Sequence, residues 1–279
     1  MTKRLMAVAV VLMFSTAFSG STSINEIPIK NEQKLLAELD NFKIEKTEFT
    51  FEDKVGMLYD SFKDNSSSMP RLGTFENAMK GYYKLEDEGK VKNKLLTIID
   101  FDLSSKKKRF WVLDMENQEV IFNTYTSHGK NSGWEFAKTF SNAVNSHKSS
   151  LGFYVTGETY YGKNGLSLFI DGMEKKFNSN ARKRYVVIHG SDYVSEKFIN
   201  SRGRAGRSYG CPALPRVISK KIINTIKGES VVYINKSSKE YLSNINCGLA
   251  CAVWQEVQFI SPKCDVWGSN ASLSLASSS

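Results

Sequence analysis

Apolar residues recur at two different periods along this chain, and the change of period divides it. Across residues 31–89 they fall three and four apart: Leu35, Leu36 and Leu39, then Val55, Leu58, Tyr59 and Phe62, then Phe75, Ala78, Met79, Tyr82 and Tyr83. Each group predicts one helix face, and the polar run 64–68 with Met69 and Pro70 separates the second helix from the third. From Leu95 the pattern shortens. Residues 95–101, 110–114, 120–126, 152–156, 166–170, 185–189 and 231–234 are brief runs of β-branched and aromatic residues set between Gly, Asn, Asp and Lys clusters. The 10–15 residue helices that would link strands of a parallel α/β sheet are missing between them, which predicts a β-rich (α+β) fold with a sandwich or barrel-like sheet. One later helix is expected, with Pro215 in its first turn, a stripe of Ile218, Ile222, Ile223 and Ile226, and Gly228 closing it. The chain ends in a Ser- and Ala-rich tail, 269–279, and carries no internal repeat.

The amino terminus adds a compartment. Lys3 and Arg4 precede an apolar run at 5–14, followed by Ser15, Thr16, Ala17, Phe18, Ser19 and Gly20. This is the layout of a secretory signal peptide with small residues before its cleavage site; the run is about half of the roughly 20 residues a membrane span needs. Residues 1–20 are therefore expected to be removed and the mature chain exported to the periplasm or cell envelope, with no integral membrane segment. The 279 residues carry a formal net charge of +9, and losing Lys3 and Arg4 leaves +7. A surplus of that size favours anionic partners without naming one.

Four cysteines and three histidines confine any thiol–imidazole chemistry to few positions. The informative segment is Val186-Val187-Ile188-His189-Gly190, followed 22 positions after the histidine by Ser208-Tyr209-Gly210-Cys211-Pro212. A strand ending on His189 sets an imidazole at a sheet edge, and a loop returns a thiol, which needs a neighbouring base because a free thiol is mostly protonated near neutrality. The Gly190 carbonyl is expected to take one ring nitrogen and leave the other for sulfur. Gly210 permits backbone geometry closed to other residues, and Pro212 lacks an N–H, so oxyanion donors fall to Gly210, Cys211 and Tyr209. Pro212 also steers Cys211 away from helical dihedrals, just before a helix whose amino end adds positive potential. No C-x-x-C or H-x-x-x-H spacing occurs, so no metal is expected, and the chemistry asks for no cofactor.

His189-Gly190 with Ser208-x-Gly210-Cys211 downstream resembles the signature of the murein L,D-transpeptidase catalytic domain. Ser150-Leu151-Gly152-Phe153 resembles that family's earlier strand, and His128 to Gly133 together with Gly210 to Leu214 match a bacterial subgroup with a Gly-Cys-Pro-Ala-Leu motif. The resemblance covers about residues 95–235. With the readings of the flanking segments it divides the chain into an expected signal peptide at 1–20, a helical extension at 21–93, a catalytic domain at 94–236 and a Cys-containing tail at 237–279. It also implies a cysteine acyltransferase acting on peptidoglycan stem peptides, not on nucleic acid, inhibited by carbapenems, with Cys211 as nucleophile, His189 as base and Gly190 orienting it.

This chain departs from the family at Ala213, where many members carry arginine. A guanidinium for the stem carboxylate must then come from elsewhere; Arg204 and Arg207 are the candidates, with Ser208 as a further substrate contact and His128 either lining the cleft as another or bracing Cys211. The long spacing from His189 to Cys211 predicts an inserted loop at 191–206. His147, among Asn, Ser and Lys, is expected to be merely exposed. Two rivals remain open, a hydrolase using the same thiol and a noncatalytic wall-binding module; common wall peptidases place Cys before His, the reverse of the order here. Cys247, Cys251 and Cys264 allow three disulfide pairings in an oxidising compartment, with a clasp to Cys264 favoured.

Overall fold

The computed structural model describes residues 49–243. The expected signal peptide, the helix containing Leu35, Leu36 and Leu39, and the Cys247, Cys251 and Cys264 pairings lie outside those residues. Helix α1 (Phe51–Asn65) begins with a capping box: Thr50 Oγ1 accepts from Asp53 N at 3.1 Å, and the Asp53 carboxylate accepts from Thr50 N at 3.0 Å. Its Val55, Leu58 and Phe62 are buried. Helix α2 (Leu72–Asp87) buries Phe75, Ala78, Met79, Tyr82 and Leu85, largely the face its spacing predicts. Both helices share one apolar core with the sheet, and Arg71 pins the start of α2 to it by ion pairs with Asp100 and Asp102 at 2.9 and 2.7 Å.

Ten strands follow: β1 (Leu95–Asp100), β2 (Phe110–Asp114), β3 (Glu119–Thr124), β4 (His128–Gly129), β5 (Gly152–Gly162), β6 (Gly165–Gly172), β7 (Val187–Ser191), β8 (Arg207–Ser208), β9 (Ala213–Pro215) and β10 (Val231–Asn235). Eight form a mixed sheet in the order β3-β2-β1-β10-β5-β6-β7-β9, while β4 and β8 pair separately in parallel. Every residue of β1 and β10 is buried, which accounts for their largely apolar sequences. The β-rich fold with an amino-terminal helical segment is as the sequence predicts.

Three features differ from the expectation. Strand β5 runs six residues past Thr156, because after an irregularity Thr159 to Gly162 pair with β6 on a partly exposed surface that lacks the apolar signature of a buried strand. The expected inserted loop is ordered, holding a 3-10 turn (Asp192–Val194) and helix α3 (Glu196–Arg202), which Ser195 caps and Gly203 closes. Pro215 ends β9 instead of sitting inside the following helix, α4 (Arg216–Ile226), whose Ile222, Ile223 and Ile226 are buried as expected while Ile218 packs against the core partly buried. No helix among the described residues is long and apolar enough to cross a membrane.

Candidate active site

Strands β7 and β9 run parallel, with His189 in register with Ala213 and Gly190 with Leu214. This brings the strand carrying the imidazole beside the strand that leaves the Cys211 turn. The sequence dictates how the base is set. His189 is 4% exposed, and its Nδ1 lies 3.0 Å from the Gly190 carbonyl oxygen. A carbonyl only accepts, so Nδ1 carries the proton and Nε2 is left as the basic nitrogen. Burial, opposed by that hydrogen bond and reinforced by Arg216, holds the imidazole below its ordinary value, hence neutral at neutral pH. Gly190 is required by packing as well: a Cβ there would meet Ser219 Oγ of α4 at 2.4 Å.

Cys211 is a free, partly buried thiol. Its sulfur donates to the Tyr185 carbonyl and accepts from Val187 N–H, both at 3.4 Å. Its hydrogen bonds therefore go to the backbone at the start of β7 and not to His189, and pairing with Nε2 requires the side chain to leave those two partners. Burial pushes the thiol up, opposed by the Val187 N–H and by the nearby Arg184 charge. The resting pair is thus thiol and neutral imidazole. Tyr185, whose carbonyl receives the S–H, has a φ of 52°, a left-handed conformation that is costly for an aromatic residue.

The turn between β8 and β9 is tied from inside. Ser208 Oγ donates to the Cys211 carbonyl at 2.6 Å and accepts from Gly210 N–H at 3.0 Å. Ser208 is buried and turned inward, so it braces the turn instead of facing a substrate. The Gly210 N–H expected to hold an oxyanion is committed to that serine, whereas the N–H groups of Tyr209 and Cys211 have no acceptor among the described residues. Gly210 itself has a φ of 126°, and a Cβ would stand 2.8 Å from the Lys148 carbonyl.

The L,D-transpeptidase catalytic domain family model matches residues 67–235, more than half of the chain. The chain belongs to that family. No curated protein matches it. Solved structures it is similar to include an L,D-transpeptidase from Mycobacterium smegmatis, at 13% identity, 51% of this chain, 59% of that one and a TM-score of 0.33. L,D-transpeptidase 3 from Mycobacterium tuberculosis gives 10% identity, 51% and 61% coverage and a TM-score of 0.35. The L,D-transpeptidase from Xylanimonas cellulosilytica gives 14% identity, 65% and 93% coverage and a TM-score of 0.30. The chain thus spans about 59% of the length of the M. smegmatis structure.

Within this L,D-transpeptidase domain the remaining expected contacts separate. His128 is wholly buried, its Nδ1 2.8 Å from Arg109 Nη2 and its Nε2 3.4 Å from the Gly133 carbonyl, so it cannot line a cleft. Its place in an apolar core beside a buried guanidinium makes it a brace for the 128–133 loop, a correction to its expected substrate contact. Arg204 and Arg207 both lie over the ring of Trp134, at 3.9 and 4.4 Å from its centroid, and Trp134 is 63% exposed. Arg207 also donates to the carbonyls of Lys130 and Gly133. Neither has an acidic partner among the described residues. His147, expected to be merely exposed, packs its ring 4.6 Å from that of Tyr209, and Lys130 Nζ lies 4.4 Å from the same ring.

Sequence reasoning missed Trp134 and the run Arg184-Tyr185 just before β7. A lone exposed tryptophan has no periodicity to announce it. For the second, the Arg-Tyr step leading into a strand that ends on the candidate base was the available signal.

Proposed function

We propose that this chain is an exported peptidoglycan L,D-transpeptidase that works through a Cys211 thioester. The observation supporting this most is the His189 Nδ1 contact with the Gly190 carbonyl, which leaves Nε2 basic on the strand beside the turn bearing the thiol.

In this reading Cys211 Sγ leaves the Tyr185 carbonyl and gives its proton to His189 Nε2. It then attacks the carbonyl carbon joining the third, diamino acid residue of a stem peptide to the terminal D-alanine. The oxyanion is held by the N–H groups of Cys211 and Tyr209. The C–N bond breaks, the leaving amine takes the proton from Nε2, and D-alanine departs, leaving the thioester. The side-chain amine of a neighbouring stem adds to that carbonyl, passing its proton through Nε2 to the departing sulfur, and a link between third residues remains. This reading assigns Arg204 and Arg207, which lack acidic partners among the described residues, as the cations for a stem carboxylate.

Incubation with a carbapenem followed by intact-mass measurement tests the nucleophile. The expected result is one covalent adduct on the wild-type chain and none on Cys211→Ala; an adduct on the variant, or none on either, overturns the reading. Defined tetrapeptide fragments, with products identified by mass, then separate cross-linking from release of D-alanine to water.

A further inference from the structure

Three arginines surround the β7 and β9 strands, and they differ in what neutralises them. Arg182 is paired with Asp171 and Glu158, and Arg216 with Asp192 at 2.7 Å. Arg184 has no carboxylate partner among the described residues. Its guanidinium instead donates to the Ser141 carbonyl at 2.8 Å, Ser150 Oγ at 3.2 Å, Ser146 Oγ at 3.3 Å and the Lys148 carbonyl. Four neutral acceptors take the four Nη hydrogens and leave its charge uncompensated. Partial burial makes that charge expensive, which is the direction of its shift.

The same guanidinium abuts the turn that carries the thiol. A Cβ on Gly210 would lie 3.2 Å from Arg184 Nη2 and 2.8 Å from the Lys148 carbonyl that Arg184 holds. The neighbours of Arg184 in sequence, Tyr185 and Val187, supply both hydrogen bonds to Cys211 Sγ. Arg184 therefore holds the 141–150 loop by hydrogen bonds, stands against the Cys211 turn and leads directly into β7. The other titratable groups around the turn are His189 on β7, Tyr193 of the 3-10 turn, whose ionisation is opposed by burial and then by the thiolate, and His147 and Lys130, which lie against the ring of Tyr209. Lys130 is a cation, but it sits on the Tyr209 ring, and the charge that acts on the Cys211 thiol is that of Arg184.

We propose that Arg184 is a positioning residue: it fixes the Cys211 turn against the 141–150 loop, and the thiolate of Cys211 is the counter-ion it otherwise lacks. The proposal rests on the acyl-transfer reading only in that Cys211 reacts as its thiolate. A guanidinium is suited to this because its fork reaches several acceptors while its charge persists at every working pH.

The test is the pH dependence of iodoacetamide alkylation at Cys211, followed by peptide mapping so that the other cysteines do not contribute. Arg184→Gln is expected to move the alkylation midpoint up by about one pH unit, about tenfold less thiolate near neutrality, while Arg184→Lys keeps the midpoint near that of the wild type. Ser146→Asp, at a partly buried loop position beside Nη2, supplies a competing carboxylate and is expected to raise the midpoint with Arg184 still present. An unmoved midpoint in a folded Arg184→Gln overturns the proposal, as does a higher KM for stem peptide with the midpoint unchanged, which would make Arg184 a substrate-carboxylate site. Where Arg184→Gln fails to fold, an unmoved midpoint in Ser146→Asp is decisive against it. Alkylation needs no stem peptide or carbapenem, so failure of the carbapenem adduct strikes the transpeptidase reading and not this one.

Discussion

Arg109 Nη2 lies 2.8 Å from His128 Nδ1 in a part of the core where neither residue has exposed surface. The guanidinium can only donate, so His128 accepts at Nδ1 and donates from Nε2 to Gly133. Burial and then the Arg109 charge push the imidazole down to about 3. Because the folded value is below the unfolded one, the unfolded chain binds the extra proton between roughly pH 6.5 and 3. Stability from this group is complete above that window and is lost as pH falls through it. NMR titration is expected to show a His128 ring that stays neutral at pH 5. His128→Ala, which strips Arg109 of an acceptor, is expected to cost about 2–4 kcal/mol in chemical denaturation. The surviving folded fraction should still alkylate at Cys211. A pH 5 imidazolium signal at His128 would refute the buried-brace assignment.

His189 makes the opposite kind of prediction, about rate. Its pKa is held below the usual imidazole value by burial, and the thiol is held above its own. Acylation by a carbapenem is therefore expected to rise with pH through an apparent pKa below about 6.5 and then to stay level to pH 8, as the base form of His189 fills. His189→Ala is expected to slow acylation by about 10²–10⁴ and to abolish that rise. Stopped-flow measurement of the adduct rate across pH 5 to 8 checks both, and a rate that climbs only above pH 8 would mean that thiol ionisation alone governs the reaction.

Much of this was legible before any coordinates. Helix faces such as Val55, Leu58 and Phe62 announce themselves because burial repeats at the helical period, and buried strands such as β1 do so through short, largely apolar runs. The His189–Gly190 contact was also readable, since it is local in sequence. What stayed hidden depends on long-range placement. The commitment of the Gly210 N–H to Ser208 is a matter of turn geometry, and the burial of His128 goes with Arg109, 19 positions earlier, just before a strand that reads as ordinary. The extension of β5 was hidden because its outer half packs aromatic and polar side chains against β6 instead of alternating cleanly.

Ser208 separates positioning from substrate contact. Its hydroxyl bridges the Gly210 N–H and the Cys211 carbonyl, so Ser208→Ala leaves a buried donor and acceptor unpaired. The expected cost is about 1–3 kcal/mol in stability. Acylation is expected to fall in kcat with KM within about twofold, the mark of a reacting group displaced without loss of substrate binding. Steady-state kinetics on a stem tetrapeptide decide it: a raised KM with kcat intact would put the hydroxyl on the substrate after all.

Arg204 and Arg207 lie over one indole, and the repulsion between them is part of what holds Arg204 down after burial. Two cations share Trp134 with no carboxylate among the described residues to balance them, so an anionic ligand relieves a repulsion already present. Arg207 is further tied to the Lys130 and Gly133 carbonyls, so replacing it also loosens the loop that His128 braces. Arg204, whose Nη1 reaches only the adjacent Ala205 carbonyl, gives the cleaner variant. Arg204→Gln is expected to raise KM for a stem peptide bearing a free carboxylate by about 3–10-fold, with kcat little changed, in keeping with one partly exposed charge-assisted contact. The same variant should match the wild type on a stem whose carboxylates are amidated. Equal losses on both substrates would show that Arg204 supports the Trp134 loop and does not read a carboxylate.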